Sequence, residues 1–368
     1  MSNLLEHLKE KNSATLSITS NEMVSFVHFF LSYGEENRNG ERKNEQAYDA
    51  LCPAFKENDN LKKTLTKATE LPVGIKILLS DHAYKFNTPS ELLTFIREEG
   101  TTFLKEKNWP NEEIEKTKEC LETPSLKTML NESYSLYHEH FWKKNKSDIE
   151  RFSSTEVNST QLDIFNSSLN QMRSFLGNTT EKIPPVFLVP CPPNGGRSSS
   201  KRDRYISLGF YLGRDTLLER LPTLTHECFH ELYACSSIKK QIEENLEQDT
   251  ILSDFFKEFP QEKAYKSNTP KQAVKSLFNE TMACAFQALH QEKQTGVHSP
   301  KLYNDPMIHS CAVKMLPVLK KYISEKKPLD LEFITEFKKK ASEVCIDREQ
   351  ELKKSSTVNG CLKQDGRQ

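Results

Sequence analysis

The stretch LPTLTHECFHELYA, Leu221 to Ala234, decides how the rest of the chain is read. Within it His226-Glu227-Cys228-Phe229-His230 forms the pattern H-E-x-x-H, in a chain with only ten histidines. Leu221, Leu224, Cys228, Leu232 and Cys235 recur at intervals of three and four, the spacing of one helical stripe. His226 and His230 fall on the other side of that helix, one above the other as i and i+4. Two imidazoles so placed converge on one point, as a tetrahedral zinc site requires of its first two ligands. Glu227 lies ~100° round the helix, too far to share the coordination. It can still reach a water at the metal and act as general base. Pro222 is expected in the first turn of this helix, where a missing N–H costs least. The bland reading is a pair of satisfied polar histidines on an ordinary amphipathic helix.

The chain has 368 residues, enough for two domains or one with large insertions. Hydrophobic residues make up 36% and charged residues 28%, a mixture that suits helices with Lys- and Glu-rich solvated faces. Lys and Arg total 51 against 52 acids, so charge points to neither nucleic acid nor an anionic membrane as a partner. The N-terminus MSNLLEHLKEKNSATL has no long apolar region after a basic one, which argues against a secretory signal. No run of about 18 apolar residues suggests a membrane span. Nine cysteines, without C-x-x-C pairs, fit a reducing compartment better than a disulfide framework. The expected location is therefore cytoplasmic, with export by a signal-independent route left open.

The pattern along the chain predicts an α+β fold, mainly α-helical. Residues 1–150 read as a helical N-terminal domain, 151–345 as the domain carrying the motif, and 346–368 as a flexible C-terminal tail. Ser90 is the expected cap of a helix beginning PSELLTFIREEG. His138 and His140 are two apart, so on a helix they face different ways and make a poor metal pair. Strands are expected at IPPVFLVPCP and RYISLGFYLG. In the second, Ile206, Leu208, Phe210 and Leu212 alternate with Tyr205, Ser207, Gly209 and Tyr211. A small antiparallel sheet is the expectation. The loop Asn194 to Arg204, with Gly195-Gly196 and the basic Arg197, Lys201, Arg202 and Arg204, would be its hairpin connection or a lid over the cleft.

Two histidines hold zinc weakly, so a third protein ligand is needed. The downstream candidates are Glu231, Glu280, His290, His298 and His309. Glu231 is adjacent to His230 and points elsewhere. Glu280 stands at the edge of an apolar stripe formed by Val274, Leu277, Phe278, Ala285 and Leu289, where a packed helix leaves one flank on a cleft. The alternative is a partly exposed glutamate at a helix margin.

H-E-x-x-H followed on a later helix by Asn279-Glu280-Thr281-Met282-Ala283, an N-E-x-x-A pattern, resembles the gluzincin class of zinc metallopeptidases. The resemblance covers roughly residues 183–290. It implies one Zn2+ per chain, held by His226, His230 and Glu280, with Glu227 as general base. It also implies a strand bordering the cleft and a peptide or protein substrate. Gluzincins often use a downstream Tyr or His at the oxyanion, which makes Tyr303 and His309 the candidates here. Thermolysin-like members carry an aspartate four residues after the glutamate ligand; this chain has Cys284 there. The 49 residues between His230 and Glu280 also exceed the spacing of that subgroup, so the resemblance is to the broad class. The leading expectation is a zinc metallopeptidase acting through a Glu-activated water. The alternatives are a non-catalytic helical interaction protein with an accidental H-E-x-x-H, and a zinc hydrolase acting on a non-peptide amide.

Overall fold

The computed structural model describes residues 18–35, 43–154, 159–177, 183–190, 196–198, 205–210, 215–262, 269–297 and 305–364. They fold into two compact units, one comprising Met1–Val157 and Pro184–Leu224, the other Asn158–Ile183 and Thr225–Gln368. The strands expected in the same domain as the motif thus cluster with the N-terminal helices. None of the described helices is long and apolar enough to cross a membrane.

The first unit opens with β1 (Ile18–Ser20) and runs through α1 (Glu22–Ser32), α2 (Lys43–Leu51), α3 (Pro53–Lys56), α4 (Asp59–Ala68) and α5 (Val73–His82). It continues with α6 (Pro89–Glu106), α7 (Asn111–Glu122), α8 (Pro124–Tyr137) and α9 (Lys143–Ser154). Aromatic rings from α1, α3 and α8 make its centre. Phe29 lies 5.0 Å from both Phe55 and Tyr137, and all three are fully buried. The cap of α6 is Thr88 rather than Ser90: its hydroxyl accepts from the Glu91 N–H at 3.2 Å, and the Glu91 carboxylate accepts from the Thr88 N–H in return. A π-helical turn, His138–Trp142, joins α8 to α9, and His138 pairs with Glu22 at 2.5 Å.

The sheet corrects the expected antiparallel arrangement. Its order is β1, β2 (Val186–Pro190), β4 (Ile206–Phe210), β3 (Gly196–Ser198). β1 and β4 both run parallel to β2, and only the short β3 is antiparallel, to β4. Every residue of β2 and β4 is buried, as expected of parallel strands covered on both faces. The alternation of Ile206, Leu208 and Phe210 with Ser207 and Gly209 is one of size, since Ser207 is only 6% exposed. A parallel pair also needs a longer connection than a hairpin, and residues 191–205, with β3 among them, supply it. Of the loop Asn194 to Arg204, Gly196–Ser198 is this edge strand; the remainder lies outside the described residues.

The second unit contains α10 (Ser159–Leu176), the greater part of α11 (Leu217–Cys235), α12 (Lys239–Glu247), α13 (Thr250–Glu258), α14 (Pro270–Thr295), α15 (Pro306–Ser324) and α16 (Leu331–Gln364). Phe175, Phe286 and Phe333 interlock in its core, and Phe278 meets Phe337 edge-on at 5.0 Å. α14 begins at a Thr269 cap and stops at Gly296, whose φ of 69° is the left-handed conformation that ends helices. Residues 346–364, expected as a flexible tail, continue α16. Arg348 grips Glu262 with two bonds of 2.9 and 3.2 Å and also pairs with Glu351 one turn on. These contacts reward the helix where apolar packing thins out.

Candidate metal centre

α11 starts four residues earlier than its apolar stripe suggests. Thr216 and Glu219 form a reciprocal cap, with the Glu219 carboxylate accepting from the Thr216 N–H at 2.8 Å and the Thr216 hydroxyl accepting from the Glu219 N–H at 3.3 Å. Pro222 consequently lies inside the helix, where it has no N–H to offer the carbonyl of Leu218. Past that point the helix is buried on nearly all sides: Leu224, Thr225, Cys228 and Phe229 are fully enclosed. Two contacts set its rotation against α14. The Phe229 ring stacks on Phe286 with centroids 5.4 Å apart, and Thr225 hydrogen-bonds His290 at 2.9 Å.

This rotation turns His226 and His230 toward Glu280 on α14. The two Nε2 atoms are 3.0 Å apart, Glu280 Oε2 is 3.3 Å from His226, and Glu280 Oε1 is 3.5 Å from His230. Among the described residues this is the one group of three or more His, Cys, Asp or Glu side chains placed to hold a metal ion. A tetrahedral ion with bonds of ~2.0–2.1 Å keeps its ligand atoms ~3.3–3.4 Å apart. The observed spacings bracket that value. Glu280 Oε2 is buried, and no donor among the described residues is aligned with it for a hydrogen bond, although His226 is close enough to couple ionically. A buried carboxylate facing two ring nitrogens, with one of its oxygens unsatisfied, is a poor end state by itself and a good one around a cation. The donor set of two imidazoles and one carboxylate suits zinc.

The backs of both rings are also held. His230 Nδ1 lies 3.1 Å from the Asn279 side-chain oxygen, to which it donates, and His226 Nδ1 is 3.8 Å from the Cys284 sulfur. A proton on each Nδ1 leaves each Nε2 lone pair directed at the centre. Cys284 is thus a weak partner behind the His226 ring. Burial, followed by the charge of Glu280, raises its thiol far above the ordinary range, so it stays protonated.

Electrostatics tie the three groups together. Burial opposes ionisation of Glu280, but the close imidazoles of His226 and His230 outweigh it and hold the carboxyl at about 2. Burial likewise opposes a charge on His230. Glu280, then Glu227 and Asn279, overcome it and raise the imidazolium to about 9. Without a cation the cluster is a buried ion pair.

Glu227 is 6% exposed, beside His226 on the same turn, and is not one of the three convergent groups. His290 is excluded as a ligand: it is fully buried, hydrogen-bonded to Thr225, and pushed down to about 4 by burial. Glu231 is buried next to His230 without joining the group, and His138 is taken up by Glu22. His309 sits in the first turn of α15, with its Nδ1 buried and lacking a partner among the described residues. Tyr303 and His298 lie outside the described residues. The supporting roles of Asn279 and Cys284 were not assigned from sequence. Asn279, inside the N-E-x-x-A pattern and one residue before Glu280, was the legible signal.

No family model matches the chain, and neither a curated protein nor a solved structure matches it.

Proposed function

We propose that the protein is a zinc-dependent hydrolase that cleaves peptide bonds. The observation that carries the reading is the convergence of His226, His230 and Glu280, with Glu280 Oε2 buried and unsatisfied, beside a glutamate that stands apart from them. His226, His230 and Glu280 would hold the ion, and Asn279 and Cys284 would keep the two rings facing it. Zinc in that position supplies Lewis acidity toward a carbonyl and lowers the pKa of a water. Glu227 takes the proton of the attacking water on its carboxylate and delivers it to the leaving nitrogen. In this reading His309 donates to the developing oxyanion. It sits in the first turn of α15, whose cap Asp305 is near enough to α14 for its charge, after burial and Glu280, to help raise the Cys284 thiol.

The experiment separates metal from chemistry. Purified protein should carry one zinc per chain, and His226→Ala and His230→Ala should lose it. Glu227→Gln should keep the zinc and the fold while hydrolysis of a peptide library falls by ~10²–10⁴-fold. Full hydrolysis by zinc-loaded Glu227→Gln would remove the mechanism. Full zinc content in both histidine variants would remove the site.

A further inference from the structure

A cavity of about 480 Å³ reaches the candidate centre at His230, one of its three convergent groups. His230 and Asn279 line it, and so does Lys271, in the first turn of α14. Eight residues of helix separate Asn279 from Lys271, a rise of ~12 Å. An extended peptide advances ~3.3–3.4 Å per residue. The distance from Asn279, beside the candidate metal site, to Lys271 therefore corresponds to three to four residues of extended chain.

Its walls carry charges that do not cancel. Lys275 is 2.7 Å from Glu247 and 4.0 Å from Glu243, and Lys239 is 3.6 Å from Glu243. These four side chains, all lining the cavity, satisfy one another. Lys271 is the fifth charge. It is exposed, and among the described residues no carboxylate pairs with it. Glu247, whose carboxyl is lowered first by Lys275, feels Lys271 only as its last and weakest influence. Among these lysines and glutamates one positive charge is left over, that of Lys271, about two turns of α14 from Asn279.

We propose that this cavity is the substrate groove and that Lys271 selects a carboxylate three to four residues from the reacting peptide bond. The proposal rests on the peptide-hydrolase reading. The carboxylate is supplied either by an Asp or Glu side chain or by the C-terminus of the substrate, and Lys271 is the specificity-determining residue.

The test uses the full-length, zinc-loaded chain and labelled hexapeptide pools. Each pool fixes one position as Glu, Gln or Lys, and each is made with a free and an amidated C-terminus. Fluorescence anisotropy gives the Kd, and mass spectrometry of the unlabelled pools gives cleavage. One Glu-fixed pool should bind roughly threefold to fivefold more tightly than its Gln counterpart, the upper range for a solvent-accessible ion pair. The advantage should shrink at high salt. Lys271→Ala should erase it, and Lys271→Glu should transfer it to the Lys-fixed pool. If amidation abolishes the advantage the carboxylate is the chain terminus; if the advantage survives, it is a side chain. Pools that do not bind, Kd values indifferent to peptide charge, or a preference unchanged in Lys271→Glu would each overturn the groove. Cleavage without charge preference sinks the groove and leaves the hydrolase; charge-selective binding without cleavage does the reverse.

Discussion

Replacing Glu280 with Gln should change how zinc affinity depends on pH, beyond weakening it. In the metal-free cluster His230 is raised to about 9, chiefly because Glu280 overcomes the effect of burial. Zinc requires that nitrogen without its proton. At pH 7 a group with a pKa of 9 is protonated roughly 100-fold over its free form, so the proton costs zinc binding ~2.7 kcal/mol. Apparent affinity of the wild type should therefore climb about tenfold per pH unit between 7 and 9 and then level off. The amide of Glu280→Gln cannot hold the imidazolium. Its affinity should be lower at pH 9, where a ligand charge is missing, but nearly flat from pH 7 to 9. The two curves should converge as pH falls. Titration against a chromophoric chelator, corrected for the chelator's own protonation, measures both curves. Equal slopes in the two proteins, or a flat wild-type curve, would refute the coupling of His230 to Glu280.

The same pair governs the stability of the zinc-free protein. Glu280 is depressed, so its contribution is complete above the ordinary carboxyl range and is lost as pH falls through about 2. His230 is raised, so its contribution is complete below the ordinary imidazole range, near 6.5, and is lost as pH rises through about 9. These are two views of one interaction and are counted once. Stability from the cluster should be greatest between pH ~4.5 and ~6.5, where zinc affinity is still low.

Cys284→Asp should tighten zinc binding roughly tenfold, because a carboxylate replaces a weak sulfur contact behind His226 Nδ1; Cys284→Ser serves as control, and unchanged affinity in a folded Cys284→Asp protein would dismiss the contact as incidental. Phe229→Ala removes a fully buried ring stacked on Phe286 and should cost ~3–5 kcal/mol in urea unfolding, whereas a loss below ~1 kcal/mol would show that another contact sets the rotation of α11. Arg348→Ala should cost at most about 1 kcal/mol, since the pair is partly solvated, yet should speed amide exchange around residues 346–353; unaltered exchange would mean that Glu262 does not anchor the end of α16.

The sequence by itself determined what local periodicity determines. Four-residue spacing stacks His226 on His230 in any helix, and the glutamate between them is necessarily set off to one side. The long helices followed from the same period, and the apolar stripe of α14 marked Glu280 as standing at a margin. Where local signals compete, periodicity misleads: the stripe begins at Leu221, but the Thr216–Glu219 cap starts the helix and takes Pro222 inside. Tertiary structure decided the rest. Which of several downstream acids and histidines meets the pair depends on the rotation of α11 against α14, which Phe229, Phe286, Thr225 and His290 set across long separations in the chain. The same packing buries His290 as a neutral latch and brings Asn279 and Cys284 behind the rings. Strand direction is also a long-range property. β2 and β4 carry the composition of buried strands, but β3 takes the antiparallel place beside β4, and β2 lies on β4's other side and runs parallel to it. Sequence spacing reports the faces a single element presents; which face meets which is decided only when packing removes the alternatives.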